Sequence, residues 1–135
     1  DDTYTVKLNT EYDPYNIISI SSNVVTISES GKYLIEFNSG HLVGYNDPGV
    51  DSYTQMSLRN SGGTLIALGQ EGVVRKWISD GISTSFTGFL LGDISANATF
   101  KIFLQTNRSA WTLYTWTSVA GSASHGYIKI IKIGT

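Results

Sequence analysis

Val25-Thr26-Ile27-Ser28-Glu29-Ser30-Gly31-Lys32-Tyr33-Leu34-Ile35-Glu36-Phe37 is the stretch that decides the fold. Val25 and Ile27 alternate with Thr26 and Ser28, Ser30-Gly31 supplies a turn, and Tyr33, Ile35 and Phe37 then take one side of the following segment. Leu34 falls on the other side, beside Glu36. Side chains of an extended chain point alternately to opposite faces, so a period of two marks a strand with one buried face. A helix needs apolar residues at i, i+3, i+4 and i+7 over several turns, and no part of the chain offers them.

The same alternation spreads outward from this stretch. Tyr4, Val6 and Leu8 alternate with Thr5 and Lys7, and Phe100, Ile102 and Leu104 alternate with Lys101, Phe103 and Gln105. Phe86 to Leu91 is a nearly continuous apolar run, the pattern of a strand covered on both faces. Tyr127-Ile128-Lys129-Ile130-Ile131-Lys132-Ile133 closes the chain with β-branched residues. Turn signals separate the runs: Asn46-Asp47-Pro48-Gly49, Asn60-Ser61-Gly62-Gly63, Gln70-Glu71-Gly72, Asp80-Gly81 and Ser95-Ala96-Asn97. About eight to ten short strands at this spacing predict an antiparallel β-sandwich or barrel. No repeat period and no linker interrupts residues 1–135, so one domain is expected.

Composition narrows the function. The net charge is −2, from 9 basic and 11 acidic residues, and only 15% of residues are charged. No cationic stripe exists for a phosphate backbone, the largest basic cluster being the pair Arg75-Lys76, so no nucleic-acid partner is expected. No apolar run approaches the ~20 residues of a membrane helix, and no membrane insertion is expected. There is no cysteine, which removes disulfides, thiolate metal sites and cysteine nucleophiles. The chain opens at Asp1 without methionine or a leader-like segment, which leads to the expectation of a processed form or an excised domain. The Ser-, Thr-, Gly- and aromatic-rich balance suits an extracellular or virion-surface protein.

Three segments resemble the jelly roll shared by tumour necrosis factors and the globular heads of complement C1q. Val25 to Phe37 is similar to that family's entry strand, tight turn and Gly-x-Tyr strand. Ser85-Phe86-Thr87-Gly88-Phe89-Leu90-Leu91, followed by a turn and Thr99 to Leu104, resembles its paired late strands. His125-Gly126-Tyr127 through Ile133 resembles its terminal strand. The three cover about half the chain in the family's order. The family's Gly-Asp turn before the penultimate strand is replaced here by Ser95-Ala96-Asn97. The resemblance implies a two-sheet antiparallel jelly-roll sandwich that assembles as a homotrimer. It also implies that Tyr127, Ile131 and Ile133 face the threefold axis, with Phe103 or Phe86 as neighbours; filling the protomer's own core is the alternative for all five.

Catalytic chemistry finds little support. The only histidines, His41 and His125, sit among glycine and apolar residues, and no Gly-x-Ser-x-Gly elbow occurs. Glycoside hydrolysis needs two carboxylates about 5–10 Å apart, and no Asp or Glu pair falls at a telling spacing. No enzyme activity and no cofactor is expected. Asp47 and Asp51 share one loop and form a weak candidate Ca²⁺ site, although Asn-Asp-Pro-Gly suffices as a turn. Aromatic residues are better candidates. Trp111, Tyr114 and Trp116, with Trp77 beside Arg75, provide flat faces on which sugar rings stack, unless they pack between protomers or cap the sandwich.

These features favour a trimeric head at the tip of a fibre or surface protein, recognising a glycan or surface protein by avidity. The alternatives are a structural trimerisation or particle-decoration domain, a monomeric carbohydrate-binding module, and a secreted ligand of the tumour necrosis factor type.

Overall fold

The computed structural model describes residues 2–8, 12–40, 42–45, 52–74, 85–106, 112–115 and 126–135. Every regular element among them is a strand: β1 (Asp2–Thr5), β2 (Ile18–Ser21), β3 (Val24–Ile27), β4 (Gly31–Asn38), β5 (Leu42–Tyr45), β6 (Ser52–Arg59), β7 (Leu65–Val74), β8 (Thr87–Ile94), β9 (Ala98–Thr106), β10 (Thr112–Thr115) and β11 (Tyr127–Gly134). The number exceeds the eight to ten expected, because β1, β2, β3, β5 and β10 are only four residues long. Alternation over four residues is too short a signal to separate neighbouring strands.

All pairings are antiparallel. One sheet runs β2-β3-β9-β6-β7, with β1 also bonded to β9; the second runs β11-β4-β8; β5 pairs with β10. The two larger sheets enclose one core. Ile27, Met56, Leu58, Phe100, Ile102 and Leu104 enter it from the first sheet, and Tyr33, Ile35 and Phe37 from β4 of the second. The period of two in Val25–Phe37 therefore holds: Val25, Ile27, Tyr33, Ile35 and Phe37 are all buried. The Tyr33 hydroxyl stays satisfied inside by donating to the Glu29 carbonyl at 2.9 Å.

Local chemistry fixes the connections. Ser22 and Asn23 both adopt positive φ, at 50° and 66°, in the two-residue turn between β2 and β3. That double left-handed turn matches the twist of a hairpin. Between β6 and β7, Asn60 accepts from the Thr64 N–H through Oδ1 at 2.9 Å, and Gly63 takes φ +92°, which favours glycine.

Gln70-Glu71-Gly72, expected as a turn, lies instead within β7. The pairing steps from Gln55↔Glu71 to Ser57↔Leu68, so β7 accommodates an extra residue as a β-bulge at this point. The bulge carries Gly69 under the Phe37 ring, and Gly88 of β8 approaches that ring from the other strand. A Cβ on Gly88 would fall on the Phe37 ring and 2.9 Å from the Gly69 Cα, so the two glycines let β7 and β8 close one side of the sandwich.

Candidate functional site

The outer face of the β11-β4-β8 sheet carries five exposed large hydrophobic side chains: Phe89, Leu91, Tyr127, Ile131 and Ile133. On β11 the alternation separates Ile128 and Ile130, packed against the core, from Tyr127, Ile131 and Ile133, which are 43%, 42% and 51% exposed. On β8 it separates Leu90 and Ile94 from Phe89 and Leu91, which are 61% and 64% exposed. The register lines these up. Ile131 stands opposite Leu34, and Leu34 opposite Leu91, so one apolar row crosses all three strands. The next row reads Lys129, Glu36, Phe89, and the one beyond it Tyr127, Asn38, Thr87.

Two hydrogen bonds pair polar groups on this face, and Lys129, level with Glu36, has no ion-pair partner among the described residues. The Tyr127 hydroxyl donates to Glu36 Oε2 at 2.8 Å, and Asn38 Nδ2 donates to Thr87 Oγ1 at 2.9 Å. The Glu36 carboxylate accepts from the neutral phenol, and this raises the Tyr127 pKa above its ordinary value; partial desolvation adds to the shift. The face is thus an apolar row beside a mixed one, in which Glu36 is hydrogen-bonded and Lys129 adds a positive charge.

The outer face of the other sheet is different in kind. There the Arg59 guanidinium covers the Phe103 ring at 4.4 Å, and Gln55 Nε2 donates to Glu71 Oε2 at 2.9 Å. A hydrogen bond with Glu71 also raises the Tyr53 phenol pKa above its ordinary value. The exposed leucines on this sheet, Leu65 and Leu68, lie on its edge strand β7.

Placement of the residues singled out in the sequence follows from this geometry. Tyr127, Ile131 and Ile133 lie together on the outward face of β11. Phe103 is not their neighbour: it lies on β9 in the opposite sheet, half-buried beneath Arg59. Phe86 is not on the face either. It is 5% exposed and packs into the core, held by bonds from Ser39 N to its carbonyl (3.0 Å) and from its own N–H to Ser39 Oγ (2.9 Å). Parity explains the difference: Phe86 shares the inward side with Gly88 and Leu90, and Phe89 and Leu91 take the outward one. The run from Phe86 to Leu91 was expected to be covered on both faces, and within the protomer the Phe89–Leu91 side has no cover.

Arg75, Trp77, Trp111 and Trp116, the candidate calcium ligands Asp47 and Asp51, and both histidines lie outside the described residues. Tyr114 belongs to β10, opposite Val43, and its side chain is outside the described set. Among the described residues no group of three or more His, Asp or Glu side chains gathers as a metal-ligand set.

Three members of the face escaped the sequence reading as surface residues: Leu34, Phe89 and Leu91. The signal was available, since Leu34 breaks the polar side of its strand and Phe89 and Leu91 make β8 apolar on both sides. The exposed pair Tyr12 and Tyr15 also went unnoticed, although both flank the turn signal Asp13-Pro14. No protein-family model matches the chain, and a search of curated proteins finds no match.

Proposed function

We propose that this chain is a non-enzymatic binding head of the jelly-roll type that assembles as a homotrimer through the outer face of β11-β4-β8. On this reading it presents glycan- or protein-recognising surfaces at the tip of a fibre or surface protein, outside the cell or on a virion. The observation that carries the reading is the uncovered row Ile131–Leu34–Leu91 with Phe89, Ile133 and Tyr127 around it. Monomeric proteins rarely leave so many large apolar side chains contiguous and in water. A second copy supplies the missing cover, and the resemblance to trimeric jelly rolls gives its symmetry. Three identical sites on one rigid body then raise effective affinity without new contacts.

Light scattering tests the assembly. The wild-type protein is expected at three times 14.7 kDa. Tyr127→Asp combined with Ile131→Asp would place six carboxylates in the joined faces, where an unpaired charge is several kcal/mol unfavourable, and is expected at the protomer mass. A monomeric wild type overturns the proposal and moves the weight to a monomeric carbohydrate-binding module.

A further inference from the structure

A groove of about 1020 Å³ opens along the free edge of β11, between that strand and the segment from Tyr12 to Ile18. Ile17, Ile128 and Ile130 are among the residues that line it, each half-buried against the core. Tyr12 and Tyr15 stand at its side, 91% and 82% exposed. The turn that carries Tyr15 is braced. Asp13 Oδ2 accepts from the Ile18 N–H at 2.7 Å, Pro14 fixes the next φ, and Asn16 takes φ 56°. The Ile17 carbonyl accepts from both the N–H and the hydroxyl of Ser28, at 2.8 and 3.1 Å, which anchors the far end. Tyrosine rings such as Tyr15 on this braced turn, with Tyr12 just before it, offer contact area at little entropic cost, the property that makes tyrosine the leading residue of engineered and natural recognition surfaces.

The charges in the groove are unequally committed. The Asp13 carboxylate serves its own turn, and Glu29 is paired with Lys132 at 3.1 Å. Lys129 stands on the outward side of β11, the end strand of its sheet among the described residues; it is level with Glu36, also lines the groove, and has no ion-pair partner among those residues. The groove therefore combines flat aromatic faces, one uncommitted ammonium and carboxylate oxygens with spare lone pairs. This set complements a ligand with apolar ring faces, many hydroxyls and a negative charge. We propose that the groove binds an acidic saccharide: its rings stack on Tyr12 and Tyr15, its carboxylate meets Lys129, and its hydroxyls donate to Glu29. The volume is at the upper end of small-molecule sites, roughly 300–1,000 Å³, and suits several sugar units rather than one. An extended peptide adding to β11 fits less well. Lys132 shares the core-side parity of Ile128 and Ile130, and a charge in that position on an edge strand opposes the docking of another strand. The inference rests on the binding-head reading and gives it a site and a ligand class.

The test is an NMR titration of the whole protein with tyrosine rings labelled, using tetragalacturonate and 3′-sialyllactose as acidic probes and lactose as the neutral control. At least one acidic probe is expected to shift the Tyr12 and Tyr15 ring signals saturably, and to bind roughly tenfold more tightly than lactose. Tyr12→Ala with Tyr15→Ala is expected to weaken that binding by roughly tenfold or more, with the assembly mass unchanged by light scattering. Lys129→Gln is expected to reduce the acidic probe to the affinity of lactose. Unmoved Tyr12 and Tyr15 signals with both acidic probes overturn the site. If other residues shift instead, the binding-head reading survives and this groove is not its site. An acidic peptide that binds the groove more tightly than either saccharide overturns the ligand class.

Discussion

Gly88→Ala is the sharpest test of how the sandwich closes. The added methyl would meet the Phe37 ring on one side and the Gly69 backbone, 2.9 Å away, on the other. Neither neighbour yields easily. Phe37 is fully buried among the core residues, and Gly69 sits at the bulge that sets the β6–β7 register. A methyl forced into a packed core costs about 1–3 kcal/mol, and with backbone as one of the two neighbours the upper end applies. For a domain of this size each kcal/mol shifts the melting temperature by about 3–5 °C, so a fall of about 10–15 °C is expected. Gly92→Ala on the same strand is the control. A Cβ there meets nothing within 4 Å, so that variant is expected within about 0.5 kcal/mol of wild type. Phe37→Leu trims the ring, and the double variant with Gly88→Ala is expected to be more stable than the sum of the two single losses, because the clash is shared. Thermal unfolding by circular dichroism reads all four proteins. A Gly88→Ala protein that melts with the Gly92→Ala control would refute the close approach of β7 and β8.

Three further outcomes follow from individual residues. Thr54 is fully buried, and its Oγ1 has no hydrogen-bond partner among the described residues, so Thr54→Val is expected to raise stability by about 1 kcal/mol, read as a higher urea midpoint. Ser22 holds φ 50° at the first hairpin position, and Ser22→Gly is expected to gain about 0.5 kcal/mol in the same assay. Asn23 is to be left in place, because its Oδ1 accepts from the Leu8 N–H at 3.1 Å. Tyr127 is expected to titrate above the ordinary phenol range by near-ultraviolet absorbance, and Glu36→Gln to bring it back down. The raised value belongs to the folded protein, so the contribution of this hydrogen bond is complete below the ordinary phenol pKa and is lost as pH rises through the folded one. A Tyr127 titration that ignores Glu36→Gln would refute the pairing.

What the sequence made legible was parity. In Val25–Phe37 and in Tyr127–Ile133 a period of two distinguishes inside from outside without any knowledge of the partner strands, and the burial of Tyr33, Ile35 and Phe37 follows it. Where the period breaks, the reading failed. Gln70-Glu71-Gly72 carries turn-forming residues, yet its backbone belongs to β7, because pairing with β6 across a bulge outweighs local preference. The resemblance offers Phe86 or Phe103 as neighbours of Tyr127, with the protomer's own core as the alternative. Phe86 faces inward just before β8, and Phe103 stands on another sheet altogether, a placement set by long-range pairing that no local pattern encodes. Tyr12 and Tyr15 give no periodic signal; the Asp13–Ile18 bond holds the turn that carries Tyr15, and both residues line the groove.

The free edge of β11 constrains how an apolar face can be used. Among the described residues β11 borders its sheet on one side only, so its other edge carries backbone groups available to any strand of suitable register. An apolar face beside an open edge invites chains to add without limit. Two lysines on the strand oppose this. Lys132 follows the parity of the core-facing isoleucines yet ends in a surface pair with Glu29, contributing little stability but placing a charge where an added strand would lie. Lys129 does the same from the outward side, next to Glu36. Edge addition is thereby disfavoured, which leaves the broad face as the surface on which copies meet in the proposed assembly. Contacts through a face, unlike contacts through an edge, close into a ring of fixed number when the rotation between copies permits. The alternation of isoleucine and lysine along one strand thus separates two modes of association, and the proposed binding head uses the closed one.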